Sequence, residues 1–510
     1  MFGKALQPWV GAHTCTKMAP SSRRHTTTRL SLLGCRHLVT SSSSSRQQPS
    51  WDSWNTAQQI DGVTVDAQTH HLPILGSLFV PKTTATQQQP HVKVVHDNTS
   101  AKHALQWLEQ DETHVLIYQG RYGQAQALLS ALQRRIQQQR RRRRPQQHVT
   151  GTARDAAAAA AVTREWLAYR QQKQCEAHCL NRLLVEVQGT SFQLTNVTQA
   201  PPHVTTIFSQ LVSNHDSANN NNNNDNLLFD TNPTTTAFLF PLREIHARVA
   251  SREWHTKGVW IDALQNYIHP HFNVYPPTRQ DYLSLLPSSS SLPCSSQTKP
   301  LVVMDVGTGT GVLAAILLHQ HSHCQAVVTD LSPLAIACAR ENFQRLGYMH
   351  RILAMEQTDL FAHDVADVLV CNPPWIPLQG RRGGDDGNDD EVTMTWLDRA
   401  IYDLPTKNGE DSMLHGFLQG ARAHMRNQDS EAWLILSDLA EHLKLRSQQE
   451  LEQWIHDGGL EIVERRVAAK HAAKTKRSKR KIREENNFPR VAEARRAENT
   501  FLYRLRQRKA

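Results

Sequence analysis

A doubly wound α/β fold with a mostly parallel sheet is predicted for the second half of this 510-residue chain. Three features of one stretch predict it. An apolar run ends at Asp305 and is followed by a cluster of glycines, a helical pattern starts at Val312, and a second β-type run ends at Asp330. Strand, glycine turn, helix and strand with a terminal acid make up the βαβ unit that binds nucleoside-containing ligands.

The spacing of the glycines narrows the choice of ligand. Dinucleotide-binding folds carry the fingerprint G-x-G-x-x-G/A, whereas here Gly307, Gly309 and Gly311 alternate. Such a turn lets the backbone approach a ligand closely, and Asp305 before it would disfavour a pyrophosphate and suit a ligand with a positive centre. Asp330 stands where a carboxylate can accept both ribose hydroxyls. The expected ligand is therefore a cationic nucleoside, such as S-adenosylmethionine.

The stretch Asn372-Pro373-Pro374-Trp375 follows a further apolar run and suggests the chemistry. A planar amide or arylamine nitrogen is a poor nucleophile because its lone pair is delocalised. The Asn372 side-chain carbonyl and the Pro373 backbone carbonyl can accept its two N–H groups and direct the lone pair at a methyl group. The prolines preorganise these acceptors, and Trp375 can stack on the flat acceptor group. The simpler alternative is a proline turn that caps a strand, with Trp375 as a core residue.

These residues together resemble the class I S-adenosylmethionine-dependent methyltransferases, and within them the methyltransferase small domain group. The matching stretches are Asp305–Gly311, Thr329–Ala335, Ala339–Asn342, Asp359–Phe361 and Asn372–Pro377. Within the group, the sequence is similar to the N5-glutamine methyltransferases that modify release factors and to adenine-N6 and guanine-N2 methyltransferases. Trp375 stands where the glutamine enzymes usually have tyrosine, and Asn273–Arg279 replaces their Ile-Pro-Arg-Pro-Glu-type segment, so the methyl acceptor stays open.

The resemblance implies a seven-stranded, Rossmann-like sheet whose last strand is antiparallel, with the S-adenosyl-L-methionine cofactor across the carboxyl ends of its strands. It also implies that Leu460–Val467 and Thr500–Leu505 pair as an antiparallel hairpin. The implied cofactor contacts are Asp305, Gly307, Thr308, Gly309, Gly311, Asp330, Leu331, Asp359, Leu360 and Asn372. The implied catalytic residues are Asn372, Pro373, Pro374 and Trp375.

The predicted function is therefore S-adenosylmethionine-dependent N-methylation. The acceptor would be a planar amide nitrogen of a protein, such as a release-factor glutamine, or an exocyclic amino nitrogen of an rRNA or DNA base. The alternative is a non-catalytic cofactor- or RNA-binding assembly factor of an organellar ribosome. The intact Asn-Pro-Pro-Trp stretch favours the enzyme.

Composition and charge bear on location. The chain carries 57 Lys and Arg against 47 Asp and Glu, and the excess is concentrated in segments, so it describes tails and insertions rather than the catalytic surface. Residues 1–51 contain seven Lys and Arg, many Ser and Thr, and no acid, which is typical of an organelle transit peptide. We expect the mitochondrion, with plastid or nucleus as alternatives. The eight scattered cysteines indicate a reducing compartment, and no run has the length of a membrane span.

Changes in composition predict the division of the chain. After the transit peptide, residues 52–286 form an α+β accessory domain with low-complexity insertions such as Asn219–Asn224. Residues 287–300 are a Ser/Pro linker, and residues 301–510 form the methyltransferase domain with a basic insertion at 468–499. Within that insertion, Lys470–Arg483 is either a solvated loop or an RNA or ribosome contact. Nothing in the sequence indicates an oligomeric state.

Three smaller features complete the predictions. Gly380–Glu391 is an insertion just after the catalytic stretch, and it acts as a substrate lid or is merely tolerated. His269-Pro-His271 places two imidazoles on a turn without a third ligand in sight. We therefore expect these histidines to be structural or pocket-lining, and no metal site is predicted. Thr278–Arg279 is predicted to lie near the carboxylate of the cofactor.

Overall fold

The computed structural model describes residues 91–142, 155–188, 191–192, 237–287, 300–378, 396–404, 412–469 and 487–509. Several predictions concern segments outside these residues: the transit peptide at 1–51, Asn219–Asn224, most of the 287–300 linker, Gly380–Glu391 and Lys470–Arg483.

The first part of the chain builds a mixed sheet with its own core. Its strands are β1 (His91–Val95), β2 (His114–Tyr118), β3 (Leu183–Gln188), β4 (Ser191–Phe192) and β5 (Ala237–Pro241). Its helices are α1 (Ala101–Leu108), α2 (Tyr122–Arg142), α3 (Asp155–Asn181) and α4 (Leu242–Lys257). β1, β2 and β3 are parallel, and β4 and β5 pair antiparallel with β3.

A hairpin connects the two parts of the molecule. Its strands, β6 (Val259–Ile261) and β7 (Asn266–Ile268), are antiparallel. A short 3₁₀ turn, Leu283–Leu285, follows. Buried side chains from both, among them Ile261 and Ile268, belong to the core of the larger sheet. This segment, which the predicted division places in the accessory domain, thus contributes to the core of the larger sheet.

The second half builds the larger sheet. Its strands are β8 (Leu301–Val306), β9 (Cys324–Asp330), β10 (Ile352–Gln357), β11 (Val368–Cys371), β14 (Glu431–Ser437), β15 (Leu460–Val467) and β16 (Thr500–Gln507), and β12 (Ile376–Pro377) and β13 (Tyr402–Asp403) form a separate parallel pair. Its helices are α5 (Val312–Gln320), α6 (Pro333–Leu346), α7 (Trp396–Arg399), α8 (Met413–His424), α9 (Leu439–His442), α10 (Gln448–Asp457) and α11 (Pro489–Ala497).

The strand order of the larger sheet is β10-β9-β8-β11-β14-β16-β15. β10, β9, β8, β11 and β14 run parallel to one another, and β16 is antiparallel to both β14 and β15. This arrangement confirms the predicted doubly wound, mostly parallel α/β sheet with an antiparallel last strand. The predicted β15–β16 hairpin is also present, with β15 rather than β16 at the edge.

Burial explains why the centre of this sheet reads as apolar runs. Every residue of β8 is buried, as expected for a parallel strand covered on both faces. The adjacent helix α5 is buried from Val312 to Leu318. α6 has clear end signals: the Ser332 hydroxyl accepts the Ala335 N–H at its start, and Gly347 ends it with a φ of +75°.

Helix α3 contributes to both cores. Trp166 and Tyr169 belong to the core of the larger sheet, whereas Cys179 and Leu180 belong to that of the first sheet. The Glu165 carboxylate accepts the N–H groups of Arg490 (2.8 Å) and Val491 (3.2 Å) in the first turn of α11, where the helix dipole favours an anion. Among the described residues, no helix combines the length and apolar character that crossing a bilayer requires.

Candidate functional site

Three strand ends of the larger sheet meet at one edge. Val306, the last residue of β8, pairs with Thr329 of β9 and with Cys371 of β11. The next residues along each strand, Gly307, Asp330 and Asn372, therefore lie beside one another. This is the carboxyl edge at which open α/β sheets bind their ligands.

The glycine turn requires glycine for two different reasons. Gly307, Gly309 and Gly311 have φ values of +71°, +55° and +80°, in the left-handed region that L side chains disfavour. A Cβ on Gly307 would lie 2.6 Å from Met413 Cε, and one on Gly311 would lie 2.8 Å from Phe343 Cζ. Gly309 has nothing within 4 Å of that position. Packing thus explains two of the glycines, and the open space at Gly309 lets a ligand approach the backbone.

Asp305 is a fully buried acid beneath this turn. Its Oδ2 accepts the Thr308 hydroxyl at 2.8 Å and the Ala314 N–H at 3.2 Å. Its Oδ1 is buried without a hydrogen-bond partner among the described residues. Burial raises the pKa of Asp305 to about 7, against the opposing effect of those two hydrogen bonds. A positively charged ligand group would stabilise the carboxylate and complete its coordination.

The Asp330 carboxylate is held in place by two backbone N–H groups, and it can still accept hydrogen bonds from hydroxyl groups. Its Oδ2 accepts the Gly309 N–H at 2.9 Å and its Oδ1 accepts the Ser332 N–H at 2.8 Å. Burial raises the pKa of this carboxyl, and the two backbone donors oppose that rise. Each oxygen retains a further lone-pair site, so the pair can accept two neighbouring hydroxyls, as a ribose presents them.

The remaining predicted cofactor contacts lie around Asp330. Leu331 is 43% exposed and offers an apolar surface beside it. β10 pairs Gln357 with Asp330, which brings the loop containing Asp359 and Leu360 to the same edge. Asp359 is exposed and Leu360 is half-buried. Three features of this edge fit a cationic nucleoside. They are the buried Asp305 Oδ1, which has no partner among the described residues, the open space at Gly309, and the Asp330 carboxylate, which can accept hydroxyls.

The Asn372–Trp375 turn is a preorganised acceptor. Pro373 and Pro374 are buried, and the Trp375 indole N–H donates to Asn372 Oδ1 at 2.8 Å. Because an indole nitrogen is only a donor, this bond fixes which end of the Asn372 amide is the oxygen. Oδ1 retains a second lone-pair site, so it can still accept an N–H group of a methyl acceptor.

The surroundings of Trp375 differ from the prediction that it stacks on a substrate. The side chain is 8% exposed. The Arg279 guanidinium carbon lies 5.0 Å from the ring centroid, and Tyr282 packs edge-on with its centroid 6.1 Å away. Little of the indole is left for an acceptor group. The packing of Trp375 matches the alternative interpretation, in which it is a core residue. In addition, its indole N–H orients the Asn372 amide.

Arg279, which is predicted to lie near the carboxylate of the cofactor, is engaged by side chains of the chain itself. Its guanidinium donates to Asp281 at 2.8 Å and to Glu498 at 2.6 Å, and it also bonds Thr500 Oγ1. Two carboxylates already balance its charge. Arg279 therefore supports Trp375, a role that sequence reasoning missed because Trp375, Glu498 and Thr500 are distant from Arg279 along the chain.

Comparison with known proteins agrees with the resemblance that the motifs indicate. Residues 288–382 match the family model described as "Methyltransferase small domain". A release factor glutamine methyltransferase of Cereibacter sphaeroides is 37% identical over 154 residues, which are 29% of this chain and 51% of that protein. A tRNA1(Val) (adenine(37)-N6)-methyltransferase of Aliivibrio fischeri is 30% identical over 126 residues, which are 21% of this chain and 53% of that protein.

A methyltransferase structure from Pyrococcus furiosus aligns with a TM-score of 0.29 and 12% identity, over 51% of this chain and 98% of that one. The fold assignment rests on the strand order described above rather than on this alignment. The chain spans about half the length of the two curated relatives. The matches confirm the resemblance to the methyltransferase small domain group that the motifs indicated.

Proposed function

We propose, from the methyltransferase small domain that this chain contains, that the protein transfers a methyl group from S-adenosyl-L-methionine to a planar amide or exocyclic amino nitrogen. The observation that carries the proposal is the hydrogen bond from Trp375 to Asn372 at the carboxyl edge of the sheet. It presents a carbonyl oxygen of fixed orientation beside the glycine turn. Such an acceptor serves a nitrogen that must lose planarity as it reacts.

The cofactor would be held by three residues at the carboxyl edge of the larger sheet. The buried Asp305 carboxylate would balance the positive charge, Gly309 would admit the ligand to the backbone, and Asp330 would accept the ribose hydroxyls. When bound, S-adenosylmethionine supplies an electrophilic methyl group.

The acceptor nitrogen would be oriented by two oxygens. Asn372 Oδ1 and the Pro373 carbonyl would each accept one N–H group, and both hydrogen bonds would strengthen as the nitrogen becomes tetrahedral. Because the prolines and Trp375 preorganise these oxygens, no strong base is needed: alignment alone can lower a barrier by roughly 7–11 kcal/mol. The chain's task is therefore orientation of the nitrogen.

Asp330 offers a test of the cofactor assignment. Asp330→Ala removes both acceptors for the ribose hydroxyls, so affinity for S-adenosylmethionine measured by calorimetry should fall. Asp359→Ala tests the second predicted cofactor contact, on the neighbouring loop, in the same assay. Unchanged affinity in a folded Asp330→Ala protein would contradict the assignment.

The relatives leave a protein and a nucleic-acid acceptor open, and one experiment separates them. The full-length protein and methyl-labelled S-adenosylmethionine are incubated, in separate reactions, with total protein, total RNA and DNA from cells that lack this protein. Label on glutamine side-chain nitrogen would identify a protein acceptor, and label on adenine or guanine amino nitrogen an RNA acceptor. Cofactor binding without label in either pool, or in DNA, would favour the non-catalytic alternative.

A further inference from the structure

A cluster of two histidines and a glutamate lies where three elements of the chain meet. His255 is on the last turn of α4, His271 follows β7, and Glu341 is on α6. His255 Nε2 is 3.1 Å from Glu341 Oε1, and His271 Nε2 is 2.7 Å from Glu341 Oε2. One ligand atom from each residue lies within 4.8 Å of those of the other two. The cluster plays no part in the proposed methyl transfer.

We propose that His255, His271 and Glu341 bind a divalent transition-metal ion of the zinc type. Two imidazoles and one carboxylate form a common three-residue set for this ion, with water as the fourth ligand. Zinc bonds of about 2.0–2.2 Å place tetrahedral ligand atoms about 3.3–3.5 Å apart. Glu341 Oε2 lies 2.7 Å from His271 Nε2 and 3.2 Å from His255 Nε2. Both distances are shorter than that spacing, by about 0.1–0.8 Å, so the side chains would have to move apart by less than about 1 Å to admit the ion.

The surroundings of Glu341 favour one oxygen as the ligand. Arg345 donates to Oε1 from Nε at 2.9 Å and from Nη2 at 2.6 Å. A ligating carboxylate is usually oriented by an outer hydrogen bond of this kind. Arg345 therefore occupies Oε1, and Oε2, which faces His271, is the oxygen available to a metal ion.

Neighbouring contacts hold the three elements together without an ion. His269 Nδ1 lies 2.7 Å from the carbonyl oxygen of His255, and the Asn342 side chain accepts the His269 N–H at 2.8 Å. Asn342 also donates to the Thr310 carbonyl of the glycine turn at 3.0 Å. Hydrogen bonds between side chains and backbone thus hold the three elements in place. The side chains of the three ligand residues are 26–32% exposed, so an ion can reach them.

Metal binding would change the tautomer of both histidines. In the metal-free cluster, each Nε2 that faces the Glu341 carboxylate carries the hydrogen of that contact, because a carboxylate only accepts. When the ion takes the Nε2 lone pair of a neutral ring, the ring hydrogen is carried on Nδ1 instead, so each ligand stays a neutral imidazole. No carbon–nitrogen or carbon–oxygen bond breaks, and no redox partner is required.

Zinc binding by the full-length protein tests the proposal. The protein is treated with a chelator, dialysed and titrated with Zn²⁺ against a chromophoric competitor, and Co²⁺ is used as a spectroscopic probe. We expect one tight equivalent, a four-coordinate cobalt absorption spectrum and a raised melting temperature. His271→Gln and Glu341→Gln should each weaken Zn²⁺ affinity by more than the roughly 10–100-fold that loss of an outer partner costs.

The chain has 27 histidines, so a matched control is needed. His363→Gln changes an exposed histidine before β11 and should leave the tight equivalent unchanged. Two results would overturn the proposal: no Zn²⁺ binding by the wild type, or wild-type affinity in both cluster variants. Either result would mean that the three residues only connect their elements through hydrogen bonds. A variant that fails to fold, judged by circular dichroism, is replaced by His255→Gln in the same comparison.

Discussion

Asn372 is the residue on which the proposed chemistry depends most directly. Asn372→Ala removes an acceptor whose bond strengthens in the transition state, so the turnover number should fall roughly 10²–10³-fold. Affinity for S-adenosylmethionine should change little, because in the proposed function Asn372 Oδ1 accepts from the methyl acceptor. Steady-state kinetics and calorimetry on the same preparation measure the two effects.

Asn372→Asp provides the matched comparison. It keeps an oxygen that can accept both the Trp375 N–H and a substrate N–H, so its loss of turnover should be smaller. Wild-type turnover in Asn372→Ala would mean that the turn is purely structural.

Asp305 should make cofactor binding depend on pH. Its pKa of about 7 means that acidification below neutrality protonates the carboxylate that would balance the ligand charge. Affinity for S-adenosylmethionine should therefore rise between about pH 6 and 8. Asp305→Asn should bind more weakly and show only the pH dependence that comes from the ligand. Equal slopes for the two proteins in calorimetry would rule out this role.

The same group has the opposite effect on the stability of the ligand-free protein. Because its pKa is higher in the folded than in the unfolded chain, the folded state holds an extra proton between about pH 4 and 7. Stability from this group is complete below that interval and is lost as the pH rises through 7. Denaturant unfolding of Asp305→Asn should consequently show a smaller decline over that range than the wild type.

At the scale of elements, the turn after β11 is supported by the segment before the linker. Trp375→Phe keeps a ring against Arg279 but removes the N–H that fixes the Asn372 amide. A neutral hydrogen bond contributes about 0.5–1.5 kcal/mol, so turnover should fall roughly 2- to 12-fold with an unchanged KM for the acceptor. Trp454→Phe, in α10, serves as the control. A raised KM with unchanged turnover would instead support stacking of Trp375 on the acceptor.

The sequence revealed those elements whose signals are local. β8, β9 and β11 are short apolar runs that end in polar residues or glycines, and buried parallel strands have that pattern. The position of Asp330 after its strand was equally readable. The parallel order of the sheet followed from the resemblance.

The partners of Trp375 and of the histidine turn could not be read in the same way. Arg279 reaches Glu498 across 219 positions and His255 reaches Glu341 across 86. No periodicity or spacing links such residues before the chain folds. An arginine in a loop is consistent with a cofactor contact or with a buried ion pair, and only the packed structure distinguishes them. For the same reason His269-Pro-His271 seemed to lack further ligands.

At the scale of the whole molecule, residues 1–51 are predicted to direct the protein to the mitochondrion. A fluorescent reporter fused to them should enter the mitochondrion, because an acid-free, arginine- and serine-rich start favours import. A version with its seven Lys and Arg changed to Gln should stay in the cytosol. A diffuse or nuclear signal from the unchanged fusion would contradict the prediction.

The shared helix α3 limits how the two halves of the chain could be recombined with other proteins during evolution. It supplies Trp166 and Tyr169 to one core and Cys179 and Leu180 to the other. Recombination that exchanged the segment before residue 300 for an unrelated one would remove side chains that belong to the core of the larger sheet. A transplanted accessory region would have to bring an equivalent helix and its aromatic pair. Substrate choice in this lineage would therefore be expected to evolve by substitution and loop insertion within the existing partnership.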